Sequence, residues 1–287
     1  MGQLRMLASF AHPDDEAFPV GGTLATYAAR GVDVRLICAT LGEEGEIRQP
    51  GSATQETLAD VRHRELCCSC EALGIQEPIV LGYRDSGMAG TDANHNPKAF
   101  INADADEVVE RLVDEMRRFR PQVVLTFGSD GLYGHPDHVA ISNHTTAAFE
   151  VAGNPNHFKH QIDAGLAPHT PMRLFYSVRP KGFRMEMALK LQRAGIDTPL
   201  PDATRQNDGV DPDQVHVEMD VSDSIDRKVN CLLCHRTQMS PERPYHKLPG
   251  DVVTDLIGRE HFIRGYPPVS SNQRIPPDFF YGIPVSD

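Results

Sequence analysis

The chain alternates short apolar runs with longer segments in which apolar residues recur at helical spacing. Leu4 to Ala11 reads as a first strand, and Leu24, Tyr27 and Ala28 mark a helix ending at Gly31. Val32 to Thr40 is a second run, of the kind buried on both faces of a parallel sheet. Thr54 to Leu73 carries Leu58, Val61, Leu66 and Ala72 at roughly helical spacing and stops at Gly74. A third strand follows from Glu77 to Tyr83, then a long polar loop from Arg84 to about Ala103. Asp104 caps a helix running to Arg120, Pro121 to Phe127 supplies a fourth strand, and His135 to Val151 the next helix.

This alternation predicts an α/β fold: a Rossmann-like open, mostly parallel sheet with helices on both faces and right-handed crossovers. In the common doubly wound order the first and fourth strands are neighbours at the switch point, so the loops leaving them face each other. Beyond Gly153 the pattern weakens. It predicts a loop from Asn154 to Pro171, a strand from Met172 to Val178, a helix from Lys181 to Ala194 and a loop from Leu200 to Pro212. A short strand from Val215 to Met219, a helix from Ser222 to Gln238 capped by Ser222, a helix from Asp251 to Ile257 and an extended Pro-rich tail complete it. With no repeat and no clean linker, residues 1–287 read as one domain, 1–153 being the core that carries the site and 154–287 a C-terminal elaboration and tail.

The candidate chemistry sits on the two facing loops. Ala11-His12-Pro13-Asp14-Asp15-Glu16 follows the first strand, and Tyr133-Gly134-His135-Pro136-Asp137-His138 follows the fourth. His12 and Asp15 are three apart, as are His135 and His138, a spacing that puts side chains on one face of a turn. Imidazole and carboxylate are zinc ligands, and a catalytic site needs three of them with one position open. Asp14 and Asp137 lie beside the ligands, where a base is useful. Proline and acids at a helix start would explain either cluster alone. Two clusters after two adjacent strands point instead to one shared divalent metal, with His135 and His138 both eligible as the downstream ligand.

Composition removes other classes. The chain has 287 residues and a net charge of -12, with no basic run interleaved with aromatics, so nucleic acid is not an expected partner. No apolar run reaches bilayer length, and a soluble cytoplasmic protein is expected. The cysteines Cys38, Cys67, Cys68, Cys70, Cys231 and Cys234 are expected to be buried thiols rather than disulfides. Cys231-Leu-Leu-Cys234-His235 matches a haem-attachment pattern formally but falls in a predicted helix, and haem is rejected. No G-x-G-x-x-G follows the first strand, which leaves dinucleotide binding without support.

His12-Pro13-Asp14-Asp15-Glu16 with His135-Pro136-Asp137-His138 resembles the LmbE-like de-N-acetylases, the N-acetylglucosaminyl-phosphatidylinositol deacetylase family. The likeness covers roughly the first 150 positions and extends to Arg62-x-x-Glu65-Leu66, to Arg84-Asp85-Ser86-Gly87-Met88 and, more loosely, to His235-Arg236-Thr237-Gln238. Around Asp85 it is most similar to the mycothiol-type sugar deacetylases and mycothiol conjugate amidases. The resemblance implies a Zn2+ ion, or another divalent transition metal such as Fe2+, held by His12, Asp15 and His138. It implies Asp14 as general base, Tyr133 and an imidazolium at His135 beside the tetrahedral intermediate, and Arg62 and Asp85 gripping sugar hydroxyls. From the residues alone, Arg62 and Glu65 read as a surface ion pair at i,i+3.

The expected activity is hydrolysis of the acetamide of an N-acetylated amino sugar or glycoside. An amidase for larger acyl groups, such as thiol conjugates of mycothiol type, is the rival enzyme, and a non-catalytic sugar-binding module the rival class. The expected partner is a small-molecule amino sugar, and a homo-oligomer is compatible with the sequence.

Overall fold

The computed structural model describes residues 2–202, 208–239 and 245–284. The elements are β1 (Arg5–Phe10), α1 (Gly21–Ala29), β2 (Asp33–Thr40), α2 (Leu58–Leu73), β3 (Ile79–Tyr83), α3 (Ala105–Phe119), β4 (Val123–Phe127) and α4 (Pro136–Val151). They continue with α5 (Lys159–Asp163), β5 (Arg173–Ser177), α6 (Phe183–Arg193), β6 (Val217–Asp220), α7 (Ile225–Cys234), α8 (Gly250–Ile257) and β7 (Arg259–Tyr266). The strands form one sheet in the order β3-β2-β1-β4-β5-β7-β6. From β3 to β5 every pairing is parallel; β5 with β7 and β7 with β6 are antiparallel.

The central strands are the most apolar because helices cover both faces of the sheet. Every residue of β4 is buried, as are Met6, Leu7, Ala8 and Phe10 of β1. Side chains of this kind each contribute about 1.5–3 kcal/mol on burial. The first half of the chain follows its pattern closely: Gly74 ends α2 with φ 75°, and the Asp104 carboxylate accepts the Glu107 N–H at the start of α3. The reversal of strand order falls between β1 and β4, which are hydrogen-bonded neighbours.

The C-terminal part departs from expectation. A helical turn, α5, lies inside the predicted loop. The helix predicted from Ser222 to Gln238 spans only Ile225–Cys234, entered through a 3-10 turn with no side-chain cap. β7 is not among the predicted elements, because a buried acid breaks its apolar pattern. That acid, Glu260, accepts the N–H groups of Gly22 and Thr23 at the start of α1, both at 2.8 Å, and pairs with buried Lys228 at 2.6 Å. It thereby ties β7 and α7 to the helix that follows the His12 loop; removing one partner of such a buried pair costs about 3–5 kcal/mol. The tail is pinned where Phe279, fully buried, stacks on Phe175.

The cysteine expectation is half corrected. Cys38, Cys70 and Cys231 are buried thiols and Cys67 is a half-buried one, but Cys68 of α2 and Cys234 of α7 are joined by a disulfide, their Cα atoms 5.7 Å apart. Packing of α2 against α7 brings the two together. Among the described residues, no helix is long and apolar enough to cross a membrane.

Candidate active site

The loop leaving β1 and the turn leaving β4 meet over the carboxyl edge of the sheet, as strand order requires. His12 Nδ1 lies 3.1 Å from His138 Nε2, and Asp15 carboxylate oxygens lie 3.1 Å from His138 Nε2 and 3.6 Å from His12 Nδ1. A tetrahedral site with bonds of about 2.0–2.1 Å has edges of roughly 3.4 Å. The imidazole nitrogens are 3.1 Å apart, and Asp15 approaches His138 through Oδ1 and His12 through Oδ2, each distance within a few tenths of an ångström of such an edge.

The outward-facing atoms fix which electron pairs face inward. His12 Nε2 is 3.1 Å from Asp137 Oδ2, a fully buried carboxylate that also accepts the Ser86 N–H at 2.9 Å. His138 Nδ1 reaches the Gly131 carbonyl at 3.1 Å, and its ring stacks on Phe127 with centroids 4.2 Å apart. With those nitrogens donating, His12 Nδ1 and His138 Nε2 confront each other as lone pairs, an arrangement that calls for a cation between them. Burial opposes charge on His12, yet the hydrogen bonds to Asp137, Asp15 and Asp85 raise its pKa well above 6.5, so a proton can serve as that cation. Gly131 must be glycine: its φ is +59°, and an added Cβ would lie 2.9 Å from the His138 Cβ. Asp15 is held in turn by the backbone N–H groups of Ala11 and His12, which it accepts through Oδ2 at 3.1 and 2.8 Å.

Two other groupings are close enough to share an ion, His12 with His135 and His138, and His12 with Asp85, His135 and Asp137. In these, His135 accepts the Asp137 N–H through Nδ1 at 3.2 Å and keeps Nε2 open, while Asp85 accepts the Gly87 and Glu44 N–H groups. A third grouping, Glu16, Cys231 and His235, is closed by its own hydrogen bonds to one another and to Ser69.

Asp14 sits beside the three donors with φ 110°, a backbone strain of about 1–3 kcal/mol that the surroundings must hold. Glu16 Oε2 accepts its N–H at 3.0 Å, and Arg62 binds the Pro13 carbonyl and lies 3.4 Å from the Asp14 carboxylate. The Asp14 side chain is partly exposed to the cavity, and burial raises its pKa although Arg62 pulls the other way. Beneath it, Glu16 Oε1 meets His235 Nε2 at 2.5 Å and accepts the Ser69 hydroxyl. Burial favours a protonated Glu16, but the charge and hydrogen bond of His235 keep its pKa below the usual range.

Arg62 and Glu65 are not a surface pair. Both are buried; Arg62 donates to the carbonyls of Gly42 and Pro13, while Glu65 accepts the N–H and hydroxyl of Thr237. His135 also corrects an expectation: burial, and then the charges of His12 and His138, bring its pKa down to about 4. Because Nδ1 accepts the Asp137 N–H, an uncharged His135 ring carries its hydrogen on Nε2. Tyr133, 45% exposed, meets His138 edge to face with ring centroids 4.9 Å apart.

His12, Asp14, Arg62, Asp85, Tyr133 and His135 all line one cavity of about 590 Å3. Asp137 reads from the sequence as a carboxylate beside the ligands and not as the support of His12, and Glu16 is not assigned there, although both lie inside the two motifs. Arg179, Arg184 and Asp208, on the same cavity, carry no sequence signal.

The PIG-L family, GlcNAc-PI de-N-acetylase, matches residues 7–149. A 1D-myo-inositol 2-acetamido-2-deoxy-alpha-D-glucopyranoside deacetylase of Rhodococcus opacus (strain B4) is 38% identical over 281 residues, covering 92% of this chain and 92% of that protein. The chain belongs to the PIG-L family. Among solved structures, N,N'-diacetylchitobiose deacetylase of Pyrococcus horikoshii aligns with a TM-score of 0.62 at 20% identity, over 97% of this chain and 86% of that one. The 4-carboxy-2-hydroxymuconate hydratase GalB of Pseudomonas putida KT2440 also gives 0.62, at 18% identity, over 94% of this chain and 99% of its own. One fold thus carries a deacetylase and a hydratase, so these two likenesses speak to architecture and not to the reaction.

Proposed function

We propose that this PIG-L family chain is a metal-dependent deacetylase of an N-acetylated amino sugar of the N-acetylglucosamine type, with zinc as the ion. An N-acetylglucosaminyl-inositol, as named for the Rhodococcus opacus relative, is the first substrate to try. The observation that carries the proposal is the 3.1 Å approach of His12 Nδ1 to His138 Nε2, with Asp15 beside them and Asp14 at the cavity.

His12, Asp15 and His138 would hold the divalent ion, which when bound would supply Lewis acidity at the acetamide carbonyl and make a neighbouring water more acidic. Asp14 takes the proton of the attacking water, and its raised pKa suits it to return that proton to the departing amine. The neutral His135 donates from Nε2 to charge developing on the substrate oxygen. The Tyr133 hydroxyl is the second donor there, and one such donor is typically worth about 3 kcal/mol. Arg62 and Asp85 form the wall against which the sugar hydroxyls lie. Water and amide give one acetate and one free amine.

Zinc-loaded protein incubated with N-acetylglucosaminyl-inositol and with simple N-acetylglucosaminides tests this. Equimolar acetate and primary amine are expected; release of neither from any of them overturns the proposal.

A further inference from the structure

The bond between Cys68 of α2 and Cys234 of α7 joins an exposed residue to a half-buried one, while Cys70 and Cys231 of the same two helices are buried free thiols. Exchange begins when a thiolate attacks a sulfur it can reach, so this bond lies where a small thiol can open it. Cys234 is the last residue of α7, and the chain leaves the helix directly into His235. The disulfide therefore anchors to α2 the stretch of chain that runs on into the site.

That stretch touches the site at two places. His235 Nε2 meets Glu16 Oε1, and the other oxygen of Glu16 accepts the Asp14 N–H. The Thr237 carbonyl accepts the Arg48 N–H at 2.8 Å, and Gln238 Nε2 donates to the Glu46 carbonyl at 3.0 Å. Glu46, Arg48 and Gln238 all line the active-site cavity. On its other side the stretch is tied to α2 twice, by the disulfide at Cys234 and by Thr237, which donates its N–H and hydroxyl to Glu65. Glu65 and Cys68 are three apart and so share a face of α2. Opening the disulfide leaves Glu65 alone to hold a segment that supports both the Asp14 turn and one wall of the cavity.

We propose that Cys68–Cys234 is a thiol-exchange site through which low-molecular-weight thiols set the turnover of the enzyme, fast with the bond closed and slow with it open. This rests on the deacetylase reading above and names a regulation of that same site. The thiolate of a small thiol RSH attacks Cys68 Sγ, forming a mixed disulfide there and expelling the Cys234 thiolate, which takes up the proton that RSH gave up. A second RS− attacks the sulfur of the bound small thiol, releasing RSSR and a Cys68 thiolate, which is protonated in the same way. Two RSH thus reduce one protein disulfide to two thiols and are themselves oxidised to RSSR. A staple that served global stability alone would leave kcat of the folded protein unchanged, which separates the two roles.

The test compares oxidised wild type with wild type reduced by 2-mercaptoethanol and desalted under nitrogen, both folded by circular dichroism and brought to equal zinc content. On N-acetylglucosaminyl-inositol, reduction should lower kcat by about tenfold with little change in KM, the mark of a misplaced base, and reoxidation should restore it. Cys68→Ser/Cys234→Ser protein should show the low kcat throughout and ignore the thiol, while Cys67→Ser, which removes the neighbouring half-buried thiol, should respond as wild type does. Equal kcat in oxidised and reduced wild type overturns the switch, as does a response that persists in the double variant or vanishes in Cys67→Ser; the wild-type comparison decides alone if the double variant does not fold. Hydrogen exchange of the metal-free protein gives a readout apart from activity: amides of residues 11–16 and 235–238 should exchange faster once the bond is open. Oxidised protein that releases acetate from no N-acetyl sugar sinks the deacetylase reading, and exchange then decides the coupling, faster on reduction upholding it and unchanged overturning it.

Discussion

His235 Nε2 and Glu16 Oε1 meet at 2.5 Å across 219 positions of sequence, both side chains at most 2% exposed. The second oxygen of Glu16 accepts the N–H of Asp14, so a residue of the C-terminal third holds the strained turn that carries the proposed base. His235→Ala should lower kcat by about 10- to 100-fold with little change in KM, because misplacing a base acts on the transition state. His235→Gln, which can still donate to Glu16, should recover part of the loss. Steady-state kinetics on protein of verified metal content decide it, and an unchanged kcat in His235→Ala contradicts the positioning role.

Protons and metal should compete at His12. Its pKa in the metal-free protein lies well above 6.5, so at pH 7 the site holds a proton that a metal must displace. Metal binding should release about one proton per chain near neutrality, and apparent affinity should rise roughly tenfold per pH unit until the pH passes the His12 pKa. Calorimetry in buffers of different ionisation enthalpy measures the release. A pH-independent affinity between pH 6 and 7 contradicts it.

The two aspartates beside the ligands should separate by phenotype. Asp14→Asn should keep the metal and lose turnover by about 100-fold or more. Asp137→Asn should instead weaken metal binding by about 10- to 100-fold, because it loses the carboxylate that orients His12. His138→Ala should lose metal and activity together. Metal content by elemental analysis beside the rate distinguishes the three, and a near-normal rate in Asp14→Asn removes it as base.

The Cys68–Cys234 disulfide closes a sequence separation of 166 between α2 and α7. Cys68→Ser should reduce stability by about 2–4 kcal/mol in denaturant titration, and a reductant should shift the wild type by a similar amount. A wild type insensitive to reductant contradicts a bond between these residues.

Much of this was legible in the sequence, for physical reasons. β1 and β4 are buried throughout nearly their whole length, so they appear as unbroken apolar runs, and the motifs that follow them announce the switch-point loops. β7 was hidden because Glu260 and His261 interrupt its apolar positions, and a buried glutamate is intelligible only with α1 and Lys228 in place. Arg62 and Glu65 suggested each other by spacing, yet each found distant partners, at Pro13 and Gly42 and at Thr237. The neutral state of His135 was equally out of reach, since it depends on burial and on the charges of His12 and His138. Local periodicity records what an element buries; it does not record which remote group a polar side chain meets.

The most direct measurement is acetate release from N-acetylglucosaminyl-inositol by metal-stripped protein titrated with zinc. Activity should be absent at the start, rise linearly and level off at about one equivalent per chain, as the proposed His12–Asp15–His138 site requires. Full activity without metal, or one tightly bound zinc per chain with no acetate released from any N-acetyl sugar, would contradict the account.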